Sequence, residues 1–251
     1  MIVGIITNKE KDPALSYTAQ VRDFLMGQGV NISMGCTTDA DFWVVLGGDG
    51  TMLRCAHIAA IHDIPLLGIN LGTLGFLTDA EKHDGLDVLA KVLANEYETE
   101  ERMMLEATGR LALNDVFVGA AGGLKTFDLY VNDHLLDTIR ADGIIVATPT
   151  GSTAYSLSAG GPLLMPGSQM MVITPVCSHS LSTRPLVIGA GDAVRIVAHQ
   201  ACHIVIDGEH IGEAQPGPDI GICVRKSTHN AKIIKTAPAH LFDVLRKKKF
   251  L

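Results

Sequence analysis

The stretch Phe42-Trp43-Val44-Val45-Leu46-Gly47-Gly48-Asp49-Gly50-Thr51 decides the reading of the first half of the chain. Five apolar residues in succession predict a strand buried on both faces. Three glycines then bracket a carboxylate, and a helix is expected from about Thr51 to Ile61. A strand that runs through a glycine-rich turn into a helix is where open α/β sheets take their ligands. Glycines let backbone N–H groups approach phosphate oxygens, and the helix start favours anions. Asp49 opposes phosphate, so it makes chemical sense as a general base or metal ligand beside a hydroxyl nucleophile. The local pattern also fits a plain strand-to-helix turn with Asp49 as its cap.

Outward from this turn, strand and helix patterns alternate. Ile2 to Ile6 reads as a buried strand, Pro13 to Met26 as a helix stopped by Gly27 and Gly29, Pro65 to Ile69 as a strand and Asp84 to Ala94 as a helix. That alternation predicts a doubly wound, mostly parallel sheet over residues 1–103. After Met103 the texture becomes short alternating segments. These are Leu105 to Leu113, Phe127 to Val131, Leu135 to Arg140, Ile144 to Thr148, Met170 to Thr174, Leu186 to Ile188, Val194 to Ala198, His203 to Ile206, Ile220 to Val224 and Lys232 to Lys235. Turn residues punctuate them, and an all-β sandwich over 104–236 is expected, interrupted by one short helix near Thr153 to Ala159. The tail, 237–251, reads as a helix from Ala239, with Leu241, Phe242 and Leu245 on one face and the basic run Lys247-Lys248-Lys249 at its end.

Bulk properties narrow the function class. In 251 residues, 47% are hydrophobic and 19% charged, which favours a packed core over disorder. A formal net charge of -7 argues against a nucleic-acid partner, which needs a basic face. Five scattered cysteines with no CxxC pair predict neither a zinc site nor a disulfide framework, and suit a reducing cytoplasm. His199 and His203 are four apart in a β pattern, so they do not share a helical face as zinc ligands. The N-terminal apolar run reads as a buried strand and not as a leader, and no run of about 18 apolar residues predicts a membrane span.

Three further segments carry chemistry. Gly68 through Leu77 follows a strand, and its glycines with Phe76 shape a pocket over a ring or form a structural turn. Arg140-Ala141-Asp142-Gly143 precedes Thr148 through Pro162, a stretch crowded with small hydroxyl residues, glycines and Tyr155, which suits close hydrogen bonding to a nucleotide. Leu113-Asn114-Asp115 offers an amide and a carboxylate for a base edge and a ribose diol, and is also a common turn dipeptide.

Together these segments, with His179 through Pro185 and Asp207-Gly208-Glu209, resemble the NAD kinase family in order and spacing from about residue 44 to 209. The resemblance implies an N-terminal α/β domain, a C-terminal β-sandwich domain and a last helix returning to the first. It implies phosphorylation of the 2′-hydroxyl of the adenosine ribose of NAD, bound between the domains, with ATP or a similar donor and Mg²⁺. Asp49 matches the proton acceptor, Asn114 the reader of adenine, and Asp115 the position where the family usually has Glu holding the ribose hydroxyls. Arg140 and Asp142 match the pair near the nicotinamide end. Gly50, Phe76, Lys125, Thr153, Ala154, Tyr155, Ser156, Leu157, Ser158 and Cys177 match other NAD-lining positions. Glu209 stands where many relatives have Gln. Gly47, Gly48 and Arg54 match the donor phosphate site. The family assembles as homodimers or homotetramers. With no GxxxxGK[ST] motif, phosphate binding is assigned to the glycine-rich turn, the helix start and the metal. The glycine-rich turn alone also fits a lipid or sphingoid-base kinase, and a non-catalytic NAD-binding regulator is the other alternative.

Overall fold

The computed structural model describes all residues except 74, 121–122, 181, 218–219, 238–240 and 248–251. Among the described residues the chain divides into two compact units, Met1–Arg102 with Ala231–Leu251, and Met103–Asn230.

The first unit begins with β1 (Ile2–Thr7), α1 (Ser16–Gly27), β2 (Asn31–Met34), β3 (Phe42–Gly47), α2 (Asp49–Ile61), β4 (Leu66–Asn70), β5 (Ala80–Glu81) and α3 (Gly85–Leu93). β2, β1, β3 and β4 lie side by side in that order, all parallel, and β5 pairs with β4. Every residue of β3 and β4 is buried, which is why both read as unbroken apolar runs. The core joins Val3, Ile5, Val44, Leu46, Leu67 and Ile69 of the sheet to Val21 and Leu25 of α1 and to Val88, Leu89 and Val92 of α3. Trp43 is fully buried and its indole N–H donates to the Thr37 carbonyl at 2.8 Å.

Two helix starts differ from the sequence reading. α1 begins at Ser16, because Leu15 takes a left-handed conformation (φ 52°) and the Asp12 carboxylate accepts the N–H groups of Tyr17 and Thr18. α2 begins two residues early, at Asp49 itself, with Gly48 extended before it. Asp49 is therefore the first helical residue and not the cap.

The second unit carries the β structure. β6 (Glu98–Ala107) enters it, followed by β7 (Arg110–Ala112), β8 (Asp115–Gly119), β9 (Lys125–Val131), β10 (His134–Ala141), β11 (Gly143–Ala147), a 3₁₀ turn (Gly151–Thr153), α4 (Tyr155–Ser158), β12 (Met170–Val176), β13 (Leu186–Gly189), β14 (Ala193–Ala198), β15 (Cys202–Ile206), β16 (Glu209–Ala214) and β17 (Gly221–Lys235). Within this unit β10, β9, β14 and the first part of β17 form one antiparallel sheet, and β13-β12-β11-β8-β15-β16 form the other. Phe127, Leu129, Val194 and Ile196 of the first pack with Val116, Val118, Ile144 and Ile173 of the second in one core.

Leu105 to Leu113, read as one strand, is a hairpin, because Thr108 (φ 50°) and Gly109 (φ 75°) turn the chain. The two segments read at 220–224 and 232–235 are parts of one 15-residue strand. The last part of β17 falls in the first unit, where Ile233 pairs with Leu66. α5 (Leu241–Lys247) belongs to that unit too, so the chain ends where it began. Leu245 is buried and Phe242 exposed. The expected helix start near Ala239, the side chains of Leu241 and Lys247, and Lys248 and Lys249 lie outside the described residues.

Candidate active site

The Asp49 carboxylate is held by two backbone donors. Phe76 N–H reaches Oδ2 at 2.9 Å and Leu77 N–H reaches Oδ1 at 3.0 Å. The donors belong to the loop after β4. Its close approach demands glycine at position 75, where a Cβ would overlap the Asp49 carboxylate. The loop has its own supports. Gly75 N–H donates to Thr78 Oγ1 (3.1 Å), the Asn70 amide reaches the same oxygen (3.5 Å), and Asn70 Oδ1 accepts Gly72 N–H (2.9 Å).

Beneath it lies a cluster that sequence reading missed. Lys235 Nζ donates to the Thr78 carbonyl at 3.2 Å and stands 3.8 Å from Asp79 Oδ1. Asp79 Oδ2 accepts both the N–H (3.0 Å) and the hydroxyl (2.7 Å) of Thr236. Burial pushes the Lys235 ammonium below its ordinary pKa, opposed by the neighbouring Asp79 carboxylate. Lys235 was read only as the end of a strand, and nothing in its neighbours announces burial.

The remaining donor-site candidates sit on the same turn. Gly47 and Gly48 are buried, Gly50 is exposed, and exposed Arg54 points Nη2 toward Thr51 Oγ1 at 3.5 Å. Asn8, in the loop after β1, also reaches Thr51 Oγ1 at 3.3 Å. A larger hollow of about 690 Å³, lined by Glu96 to Glu100 and Lys235 to Ala237, contains none of the motif residues. Its size reflects the groove beside an acidic strand and not the chemistry at Asp49.

In the second unit, Asp207 organises the segment around Asn114 and Asp115. Its carboxylate accepts the N–H groups of Leu113 (2.7 Å), Asn114 (2.7 Å) and Asp115 (3.0 Å). The Asp207-Gly208 turn between β15 and β16 is thereby fastened to the start of β8. Asp115, read as a turn residue, is the first residue of that strand, with 6% of its surface exposed. Burial, and then the Asp207 charge, push its carboxyl up to about 7.

The hydroxyl-rich segment proves largely self-satisfied. Thr148 Oγ1 donates to the Leu113 carbonyl (2.6 Å), Ser152 Oγ to the Pro149 carbonyl (2.6 Å), and Thr153 Oγ1 to the Thr150 carbonyl (2.9 Å). Buried Ser156 pairs with Thr174 at 2.9 Å, and its carbonyl accepts Gly161 N–H at 2.8 Å. Gly151 packs on the Asn114 backbone so closely that a Cβ would overlap it. The segment thus builds a tight turn against Asn114, and it presents outward Tyr155 and Ser158, with Ala154 and Leu157 half-buried. Tyr155 lies edge-on to Phe117, centroids 5.6 Å apart. Its phenol is raised by burial and then by the charges of Cys177, Asp142 and Asp115. Cys177 is exposed, with a left-handed backbone (φ 49°).

The outlying candidates are spread along strands. Half-buried Asp142 sits between β10 and β11, exposed Arg140 on β10 and half-buried Lys125 at the head of β9. The Arg140 carbonyl accepts His179 N–H at 2.9 Å. Glu209 is exposed at the start of β16, beside the Asp207 turn. His199 meets Asp128 (2.9 Å) and His203 meets His210 (3.0 Å), so the two histidines have separate partners.

Comparison with known proteins identifies the family. Residues 34–97 match the model of the ATP-NAD kinase N-terminal domain, and residues 113–236 that of the ATP-NAD kinase C-terminal domain. An NAD kinase of Heliobacterium modesticaldum is 37% identical across 98% of this chain and 97% of the relative. One of Caldanaerobacter subterraneus subsp. tengcongensis is 38% identical across 98% of each. Among solved structures, an Archaeoglobus fulgidus NAD kinase in complex with ATP superimposes with a TM-score of 0.84 at 26% identity, covering 98% of this chain and 99% of that one. A yeast NADH kinase complexed with NADH shares the fold, with a TM-score of 0.85 at 23% identity, covering 100% and 88%. The chain belongs to the NAD kinase family.

Proposed function

We infer that this NAD kinase moves the terminal phosphoryl group of ATP to the 2′-hydroxyl of the adenosine ribose of NAD, with Asp49 accepting the hydroxyl proton. The observation that carries the base assignment is the Asp49 carboxylate, fixed by two backbone N–H groups at the first residue of the helix that follows the glycine-rich turn. A ribose hydroxyl is a poor nucleophile near neutral pH. As its oxygen bonds to the γ-phosphorus, the bond from that phosphorus to the bridging oxygen breaks, ADP leaves, and the proton passes to Asp49. Gly47, Gly48 and Arg54 bind the donor phosphates. A Mg²⁺ ion bound with the donor would supply neutralisation of charge on the donor phosphates.

Asn114 reads the adenine edge and Asp115 the ribose diol, held in register by Asp207. Tyr155, with Ala154, Leu157 and Ser158, lines the nucleotide. Asp142, Arg140, Lys125, Cys177 and Glu209 complete its contacts.

Self-association into a homodimer or homotetramer is supported by β10, the last strand of its sheet among the described residues, which exposes Leu135 and Leu136 next to Arg140. No described helix is long and apolar enough to cross a membrane, and a cytoplasmic setting accords with five free cysteines.

The test is NADP formation by purified protein with NAD or NADH against ATP, other triphosphates and polyphosphate. NADP produced from NAD and ATP supports the reading. Phosphorylation of a lipid without NADP formation overturns it.

A further inference from the structure

The strand order of the first unit sets β1 and β3 side by side, with β2 outside β1 and β4 outside β3. From that central pair the chain winds outward in opposite directions. The carboxyl ends of β1 and β3 therefore open the crevice where such sheets take ligands. The turn after β3 is the glycine-rich one. The turn after β1, residues 8–15, contributes Lys11.

The Lys11 ammonium lies over the glycine-rich turn. Its Nζ is 2.8 Å from the point a Cβ on Gly48 would occupy, and 3.7 Å from the corresponding point on Gly72. The turn that carries it is anchored at both ends. Asn8 N–H donates to the Leu46 carbonyl (2.8 Å), and the Asn8 carbonyl accepts the N–H groups of Lys11 and Asp12 (3.1 Å each). The Asp12 carboxylate then ties the turn to α1 through Thr18 N–H at 2.9 Å. Among the described residues no ion pair engages Lys11. A cation parked over buried Gly48 with no carboxylate partner among the described residues, in a kinase without the lysine of a Walker motif, is placed to meet a phosphate.

We propose that Lys11 is a phosphate-binding residue of this kinase, contacting the phosphates of the phosphoryl donor at Gly47–Gly48. The proposal rests on the placement of the donor at that turn. A lysine ammonium on a polyphosphate is a charge-assisted contact, and its removal weakens donor binding about ten- to hundredfold.

The experiment compares Lys11→Met, Lys11→Arg and Arg54→Met with the wild type, varying ATP and NAD separately. Binding of inorganic tripolyphosphate to each protein is measured by calorimetry, and melting temperatures are recorded. Expected are a rise in KM for ATP of about tenfold or more in Lys11→Met, a matching loss of tripolyphosphate affinity, KM for NAD within about twofold, and substantial recovery in Lys11→Arg. Lys11→Met with unchanged ATP KM and tripolyphosphate affinity overturns the inference. If Arg54→Met raises the ATP KM in that case, the donor placement survives without Lys11. If neither variant moves it, the donor lies elsewhere and both fall.

Discussion

Gly75 lies directly against the Asp49 carboxylate, with no room between them for a methyl group. The contact lets Phe76 and Leu77 turn their N–H groups onto the two carboxylate oxygens. An alanine at 75 pushes the acid or the loop aside. For Gly75→Ala we expect kcat to fall at least about tenfold, since a displacement near 1 Å at a reacting group costs about that much or more. NADP-formation kinetics check it, with circular dichroism to confirm folding. Unchanged kcat would show that the Asp49 position is not critical.

The loop's support predicts a separable effect. Lys235→Met removes the donor to the Thr78 carbonyl and leaves buried Asp79 with Thr236 alone. Breaking a buried pair from one side costs about 3–5 kcal/mol, read as a lower midpoint in urea. The kinetic signature is a lower kcat with little change in the KM for NAD, because Lys235 acts through the loop that positions Asp49. A stable variant with full turnover would remove Lys235 from that role.

Asp207 predicts a loss on the nucleoside side. Asp207→Ala leaves three N–H groups, those of Leu113, Asn114 and Asp115, without their shared acceptor. Unsatisfied buried donors cost about 1–3 kcal/mol each, reduced where water enters. The expected outcome is a lower melting temperature and a KM for NAD raised about tenfold or more, with the ATP KM little changed. An unchanged NAD KM would separate this turn from nucleotide binding.

The pH dependence follows from Asp115. Its folded carboxyl holds a proton up to about 7, against 3.8 for the free group. Between those values the folded state binds more protons than the unfolded chain, so this group's stabilising contribution is complete below about 3.8 and lost as pH rises through about 7. The slope reaches about 1.4 kcal/mol per pH unit at most. Asp115→Asn therefore flattens the decline of urea stability between pH 5 and 8. Ionisation of the same group strengthens its grip on a ribose diol, so kcat/KM for NAD in the wild type rises toward pH 8. Parallel stability profiles in wild type and variant would refute the assignment.

Legibility in the sequence followed burial and local pattern. Phe42–Gly47 and Leu66–Asn70 are buried throughout, so their apolar runs announced the parallel sheet. β2, with no fully buried residue, carried no such signal. β8 was lost because Asn114-Asp115 resembles a turn, although Asp115 already pairs with Ala147. The Thr148–Pro162 segment was singled out for its hydroxyls, and these mostly tie the turn to itself and to neighbouring strands. Asp49 was legible because a carboxylate among glycines has few structural reasons to exist. Lys11 and Lys235 were not, and Asp207 entered only through the resemblance, since these contacts are long-range: Asp207 meets Leu113 across 94 positions and Lys235 meets Thr78 across 157.

The central claim is that Asp49 takes the proton from the attacking hydroxyl. The direct measurement is steady-state NADP formation by Asp49→Asn, paired with calorimetric NAD binding. An asparagine keeps the shape but presents an amide NH₂ to one of the N–H groups of Phe76 and Leu77, so a modest fall in melting temperature accompanies the change. The account predicts a loss in kcat of about 10²–10⁴-fold with the NAD dissociation constant within a few-fold of wild type. Full turnover in Asp49→Asn, or a loss confined to NAD affinity, would contradict it.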